Sequence, residues 1–207
     1  FLMQLKYKHS PIKWRAIIAE SLFIGASILL AFALQDWDED KDIEQRTMIA
    51  LCNVKSELVF NRVLLKNDYI PRQQGMLSLS EAALVELRTQ SETLIEFNQF
   101  QEMLLNEPLR YSAWTLAGES GYLVYVNFEL ATEIGALIDY QEDRYKMIVE
   151  RMDNTIVDLK LLTDKPLLQS FETLTDLINE WGNHTKYLEN KYDDLFQRED
   201  FIALKCN

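Results

Sequence analysis

The stretch AIIAESLFIGASILLAFAL, residues 16–34, sets the architecture of this chain. Nineteen residues at about 1.5 Å of helical rise give roughly 28 Å, enough to cross the hydrocarbon of a bilayer. Lys6, Lys8, Lys13 and Arg15 precede it, and Asp36, Asp38, Glu39 and Asp40 follow it. Basic flanks stay in the cytoplasm, so residues 1–15 are predicted as a cytoplasmic tail and 16–35 as a transmembrane helix. Residues 36–207 are then an extracytoplasmic domain. Trp14 and Trp37 bracket the span as interface anchors, where amphipathic indoles favour the boundary between lipid and water.

A cleaved signal peptide shares some of these features, with basic residues, an apolar core from Ser21 and an Ala31-Phe32-Ala33 triplet. Glu20 inside the apolar stretch, and no helix breaker before Asp36, favour an uncleaved anchor. The lipid bilayer is therefore the first expected partner.

The chain has 207 residues and a net charge of −12. Residues 1–35 hold four basic groups and one acid, leaving 17 basic against 32 acidic groups beyond them. Such an outer domain is a poor match for nucleic acid or for anionic lipid. Its length suits one domain with a real core. Six Gly and four Pro argue for long helices and few tight turns. Cys52 and Cys206 both fall on the outer side. An oxidising bacterial periplasm permits a disulfide between them, and two separate thiols fit the sequence equally well.

The pattern after the span is helical throughout. From Lys41 to Asn67 strong helix formers carry Ile43, Ala50, Val54, Leu58 and Leu65 on one broad face, so the transmembrane helix is expected to run on. It should stop near Tyr69, because Pro71 disfavours helix at Ile70. A second helix follows to about residue 105, with Leu77, Ala82, Leu84, Leu87, Ile95 and Phe100 inward and a break near residues 90–92. Ser112 to Ala117 suits a short helix stopped by Gly118 and Gly121, and Tyr122 to Val126 is too short to assign as a strand. Asn127 reads as the N-cap of a helix to about Thr163. Asp164 with Pro166 starts the last one.

The last helix has the cleanest periodicity. Leu167, Phe171, Leu174, Ile178, Trp181, Thr185, Leu188, Tyr192 and Leu195 recur in alternating steps of four and three. That seam fits shallow-angle helix packing, with Ile134, Ile138, Tyr145, Ile148, Met152, Leu159 and Leu162 as its partner stripe. The fold class is all-α: a transmembrane helix continuing into an elongated extracytoplasmic bundle.

Glu20 is the most suggestive residue. An acid one to two turns inside a span is expensive unless neutral, paired or near water. Ala16, Ile24, Ser27 and Ala31 share its face, and Ser27 with Ala31 forms a small-xxx-small pair that permits close helix approach. Glu20, Ser27 and Ala31 therefore form a candidate assembly face. The plainer alternative is a shallow carboxyl reaching back toward Arg15.

Enzyme signatures are absent, with no Gly-rich phosphate loop, Gly-x-Ser-x-Gly elbow or His-Glu-x-x-His pair. No Cys-x-x-Cys occurs, and no cofactor or metal site is expected. His184 lies off the main seam and reads as a surface or satisfied histidine. Tyr111, Trp114, Tyr122, Tyr125, Phe128, Tyr140 and Tyr145, with Arg110 and Arg144, could line a ligand pocket. Core filling at a bundle end is the commoner role for such residues.

Glu20, the small-residue-rich span, Leu30-Ala31 and Gln35-Asp36-Trp37-Asp38-Glu39 together resemble the N-terminal signature of a family of uncharacterised bacterial single-pass membrane proteins. The family pattern is an acidic residue, an apolar span with a small residue, and a polar-polar-Trp-polar-acidic exit. Glu57-Leu58 followed by Asn61 resembles its second motif. Trp114-Thr115-Leu116, Ser120-Gly121, Glu129-Leu130 and Tyr140 resemble a third. A mid-span Gly of the pattern is replaced here by Ser27. The resemblance implies a single-pass architecture and supplies no activity.

The first expectation is a non-enzymatic single-pass protein of the bacterial inner membrane. It would self-assemble as a homo-oligomer or serve as an accessory subunit alongside other membrane proteins. The alternative is a periplasmic helical-bundle sensor binding a small ligand, which would call for an output segment that residues 36–207 do not provide.

Overall fold

The computed structural model describes residues 14–89, 97–104, 107–161 and 167–206. The tail, the expected break near residues 90–92 and the Asp164–Pro166 helix start lie outside them, as do the side chains of Ile95, Leu159 and Leu162. All described secondary structure is helical, so the fold is all-α. The chain divides into two compact units, Phe1–Gln45 and Arg46–Asn207.

In the first unit α1 (Trp14–Leu64) begins. Its apolar window has a mean hydropathy of 2.2 and no buried share, so one described helix is long and apolar enough to cross a membrane. Every described side chain over residues 17–42 is exposed, with Phe23 at 75 %. The Ser27 hydroxyl donates to the Phe23 carbonyl at 2.8 Å, so its polar hydrogen is satisfied within the helix. The Lys41 ammonium lies 3.7 Å from the Trp37 ring centroid.

The second unit is a bundle of four segments, up, down, up and down. Helix α1 does not stop at Tyr69. A π turn at Leu65–Tyr69 carries it directly into α2 (Ile70–Arg88), so the run Ile17–Arg88 is helical over 72 residues. The expected stop at Pro71 is thus overturned. In a regular helix Pro71 would lose one hydrogen bond and its ring would meet the carbonyl a turn earlier. The wide turn just before it, in which the Ile70 N–H donates to the Leu65 carbonyl, absorbs that conflict without breaking the rod.

The descending segment starts with α3 (Phe97–Glu102) and runs through an irregular stretch into α4 (Ser112–Glu119). Gly121 follows at φ 77°, a left-handed conformation that suits Gly, and turns the chain into a 3-10 turn at Tyr122–Tyr125. Asn127 caps α5 (Phe128–Asp139) as expected, its side-chain oxygen accepting from the Leu130 N–H at 3.1 Å. A second π turn, Tyr140–Tyr145, joins α5 to α6 (Lys146–Leu161).

Helix α7 (Leu167–Gln197) returns against both long rods and leads into α8 (Glu199–Ile202). Its direction is read from its partners. Ser80 meets Thr175, the Gln73 amide donates to the Ile178 carbonyl, and Arg62 and Lys66 meet Asp193. Gly182 permits this approach, because a Cβ there would collide with the Gln73 amide. The seam holds from Phe171 to Leu195, and Trp181 is fully buried. Leu167 is the exception, 37 % exposed at the first residue of the helix. Ile134, Ile138, Tyr145, Ile148 and Met152 face that seam as buried core. In α2 the inward face is Met76, Ser80, Ala83 and Leu84, and Ala82 is exposed.

Candidate functional site

The residues singled out in the span all lie on the exposed surface of α1: Glu20, Ser27 and Ala31 on one face, with Trp14 and Trp37 68 % and 58 % exposed. Among the described residues Lys41 alone is seen over one of them, its ammonium on the Trp37 ring. Cys52 and Cys206 are joined as a disulfide, with Cα atoms 5.4 Å apart. The bond ties the last residues of the chain to α1 beside Lys55, whose ammonium donates to the Phe201 carbonyl at 2.9 Å.

Glu57 and Asn61 have a definable mechanical role. The Glu57 carboxylate accepts from the Ser112 hydroxyl at 2.6 Å and the Ala113 N–H at 2.8 Å, so it caps α4 from a neighbouring helix. Asn61, fully buried, treats Arg110 as a strand partner would. Its oxygen accepts from the Arg110 N–H at 2.7 Å, and its amide donates to the Arg110 carbonyl at 2.6 Å. Gln141 completes the arrangement by donating to the same carbonyl at 3.2 Å and accepting from the Tyr192 hydroxyl at 2.7 Å. These contacts hold the irregular residues 107–111 in one place without secondary structure.

That clamped stretch forms one wall of a cavity of about 410 Å³. Pro108, Leu109 and Tyr111 line it from the irregular segment, Tyr69 from the first π turn, and Gln141, Glu142 and Tyr145 from the second. Lys146, Val149, Glu150 and Asp153 of α6 complete it. Both π turns thus border one space, and such turns are frequent at functional sites. The size falls within the range of small-molecule sites.

The cavity's phenols are held neutral. Burial pushes the Tyr69 and Tyr145 hydroxyls well above the usual tyrosine range. The Tyr69 hydroxyl donates to the Glu107 carbonyl at 2.5 Å, and Tyr145 accepts from the Trp181 indole N–H at 2.9 Å. Tyr69 and Tyr145 stack with ring centroids 6.2 Å apart.

Its carboxylates are unequal. Glu107 is paired with Arg110 at 2.7 Å, Glu150 with Lys146 at 4.0 Å, and Glu142 with the Tyr111 hydroxyl. Asp153 Oδ1 is buried and without a hydrogen-bond partner, one of two such atoms among the described residues. Burial, reinforced by Glu150, pushes the Asp153 carboxyl up to about 6.

This shift makes a stability prediction. A carboxyl whose folded pKa is raised binds its proton more tightly folded than unfolded. Its ionisation penalty is absent below the unfolded value of 3.8, grows toward pH 6 and is complete above it. Discounted for partial exposure, the penalty is about 1–2 kcal/mol. Asp153→Asn should therefore stabilise the protein by about that amount at pH 7 and by almost nothing at pH 3. Urea melts at the two pH values measure it, and a variant less stable at pH 7 would contradict the assignment.

Of the aromatics read from sequence, Tyr111 and Tyr145 reach the cavity. Trp114 packs against Gly135, and Tyr140 hydrogen-bonds His184 Nδ1 at 2.5 Å, which gives that ring nitrogen a partner. Tyr125 and Phe128 are exposed, and so is Arg144. The Arg110 guanidinium sits over the Phe60 ring, 3.5 Å from its centroid. Among the described residues no group of three or more His, Cys, Asp and Glu is arranged to hold a metal. Sequence reasoning missed Tyr69, Glu107 and Asp153, which lie far apart in the chain. Compared with known proteins, the chain matches no family model, no curated protein and no solved structure.

Proposed function

We propose that this is a non-enzymatic, single-pass protein of the bacterial inner membrane that assembles through its span, with itself or with other membrane subunits. The tail is cytoplasmic in this reading and the Arg46–Asn207 unit periplasmic. The observation that carries it is the apolar window of α1, exposed on all sides and bearing Glu20, Ser27 and Ala31 on one face. The charge asymmetry of its flanks supports this orientation, and the family resemblance supports a single pass.

The test is cysteine crosslinking along residues 16–34 with the native disulfide left oxidised. Crosslinks should peak at positions 20, 24, 27 and 31. Ser27→Leu with Ala31→Leu should disrupt assembly sterically. Glu20→Leu should weaken it only modestly, because polar contacts between membrane helices contribute about 0.6–2 kcal/mol. A monomer with uniform lipid exposure around the span ends the reading. Orientation is checked separately: protease admitted to the periplasm should digest the bundle and spare the tail, and the reverse pattern refutes it.

A second reading, a bundle that binds a small ligand, is favoured by the cavity between the two π turns.

A further inference from the structure

We propose that the cavity binds a small organic amine in its protonated form, the ammonium hydrogen-bonded to Asp153 and the apolar body held against Leu109 and Val149. This rests on the second reading above and assigns the ligand's class.

Charge gives the sign of the ligand. The lining carries four carboxylates, Glu107, Glu142, Glu150 and Asp153, against one cation, Lys146. That ratio exceeds the roughly two to one of residues 36–207 as a whole. A cation entering here is attracted, and an anion is repelled.

The hydrogen-bonding inventory narrows the class. Glu107 is hydrogen-bonded by Arg110 and Glu142 by Tyr111, and Glu150 faces Lys146 at 4.0 Å, whereas Asp153 Oδ1 is a buried acceptor with no partner. A buried acceptor gains most from a donor that arrives with a positive charge. A quaternary ammonium has no N–H to give, so a primary or secondary amine fits better. A bare metal ion fits poorly, since the acids are not gathered into a set of ligands. Between them, Pro108, Leu109 and Val149 offer apolar wall on which a hydrocarbon body removes area from water. Clamping by Asn61 and Gln141 fixes that wall in advance, which reduces the ordering cost of binding.

The two π turns explain how the site exists at all. A plain α-helix packed on its neighbours would close this space with regular ridges and grooves. Two wide turns at one level interrupt both rods together and leave room beside Tyr69 and Tyr145.

Isothermal titration of the full chain in detergent micelles at pH 7.5 tests the proposal. The probes are phenethylamine, N-methylphenethylamine and pentane-1,5-diamine, with neutral 2-phenylethanol and anionic 3-phenylpropionate as comparators. At least one amine should bind, and at least tenfold more tightly than either comparator. Asp153→Asn should weaken that amine at least tenfold while its melting point does not fall. Val149→Trp, which fills the cavity from α6, should abolish binding while its helical circular dichroism is retained. An alcohol or acid that binds as tightly as the amines overturns the assignment of class and leaves a ligand cavity standing. Amine binding unchanged in both variants, or no binding by any of the five, overturns the class and the ligand-binding reading together.

Discussion

Replacing Cys52 and Cys206 together with Ser is expected to lower the unfolding free energy of the bundle by about 3–5 kcal/mol. The bond joins residues 154 apart, so it closes a loop containing nearly the whole Arg46–Asn207 unit. In the chain-entropy account a longer loop removes more freedom from the unfolded chain, and this one sits at the long end of the usual range. The native side gains as well. The bond holds the tail where Phe201 is buried and where the Lys55 ammonium can reach the Phe201 and Leu204 carbonyls. Cys206 is exposed, so a mild reductant should reach the bond without prior unfolding. Urea melts of oxidised protein, reduced protein and the double Ser variant decide the matter. The last two should coincide well below the first, and a single shared midpoint would show that the tail contributes nothing to the bundle.

Trp181→Ala should cost a further 3–5 kcal/mol, about the value for emptying a fully buried indole site. Trp181 is 0 % exposed and stands midway along α7, where its indole N–H donates to the Tyr145 hydroxyl. That hydroxyl also shares a hydrogen with Thr185, so the indole belongs to a chain of buried polar contacts as well as to the core. Trp181→Phe separates the two contributions. It keeps much of the apolar volume, loses the indole donor, and should cost about 1–2 kcal/mol. Denaturant melts at constant slope measure both variants. Equal costs for Ala and Phe would mean that packing at this position is not what holds α7 in place.

Periodicity disclosed the elements that obey one geometry along their length. The seam of α7 was readable because its inward residues alternate steps of four and three from Phe171 to Leu195, and a straight helix needs nothing more. The Asn127 cap was readable because capping is local. Pro71 misled because the bias against helix at the residue before proline is a preference and not a bar, and Ile70 stays helical at φ −61° and ψ −48°. The π turn, which holds one residue more, makes room for the proline ring. Its trace lies in the inward residues Asn61, Leu65 and Tyr69, where two steps of four follow one another. A strict alternation would have placed the last of these one residue earlier.

The cavity was hidden for a different reason. Asp153, Glu107 and Tyr69 come from three segments, and no local pattern joins them. Tyr111 and Tyr145 were visible as aromatics, yet their neighbours Tyr125 and Phe128 look the same in sequence and end up on the surface. Composition identifies residues able to line a pocket. Tyr111 is brought there beside the clamp of Asn61 on Arg110, a contact across 49 residues, and Tyr145 by the second π turn.

The position of the cystine has a consequence for work in living cells. Its two sulfurs are a chemical logbook of the compartment in which the bundle matured, since such bonds persist in oxidising spaces and are lost in the reducing cytosol. Trapping thiols with a maleimide at the moment of lysis, then comparing gel mobility with and without prior reduction, reads that logbook from the unmodified chain. A population that is wholly cystine marks a bundle outside the cytosol. One wholly alkylated marks a bundle that never left it, and no tag, fusion or protease need be introduced to learn which.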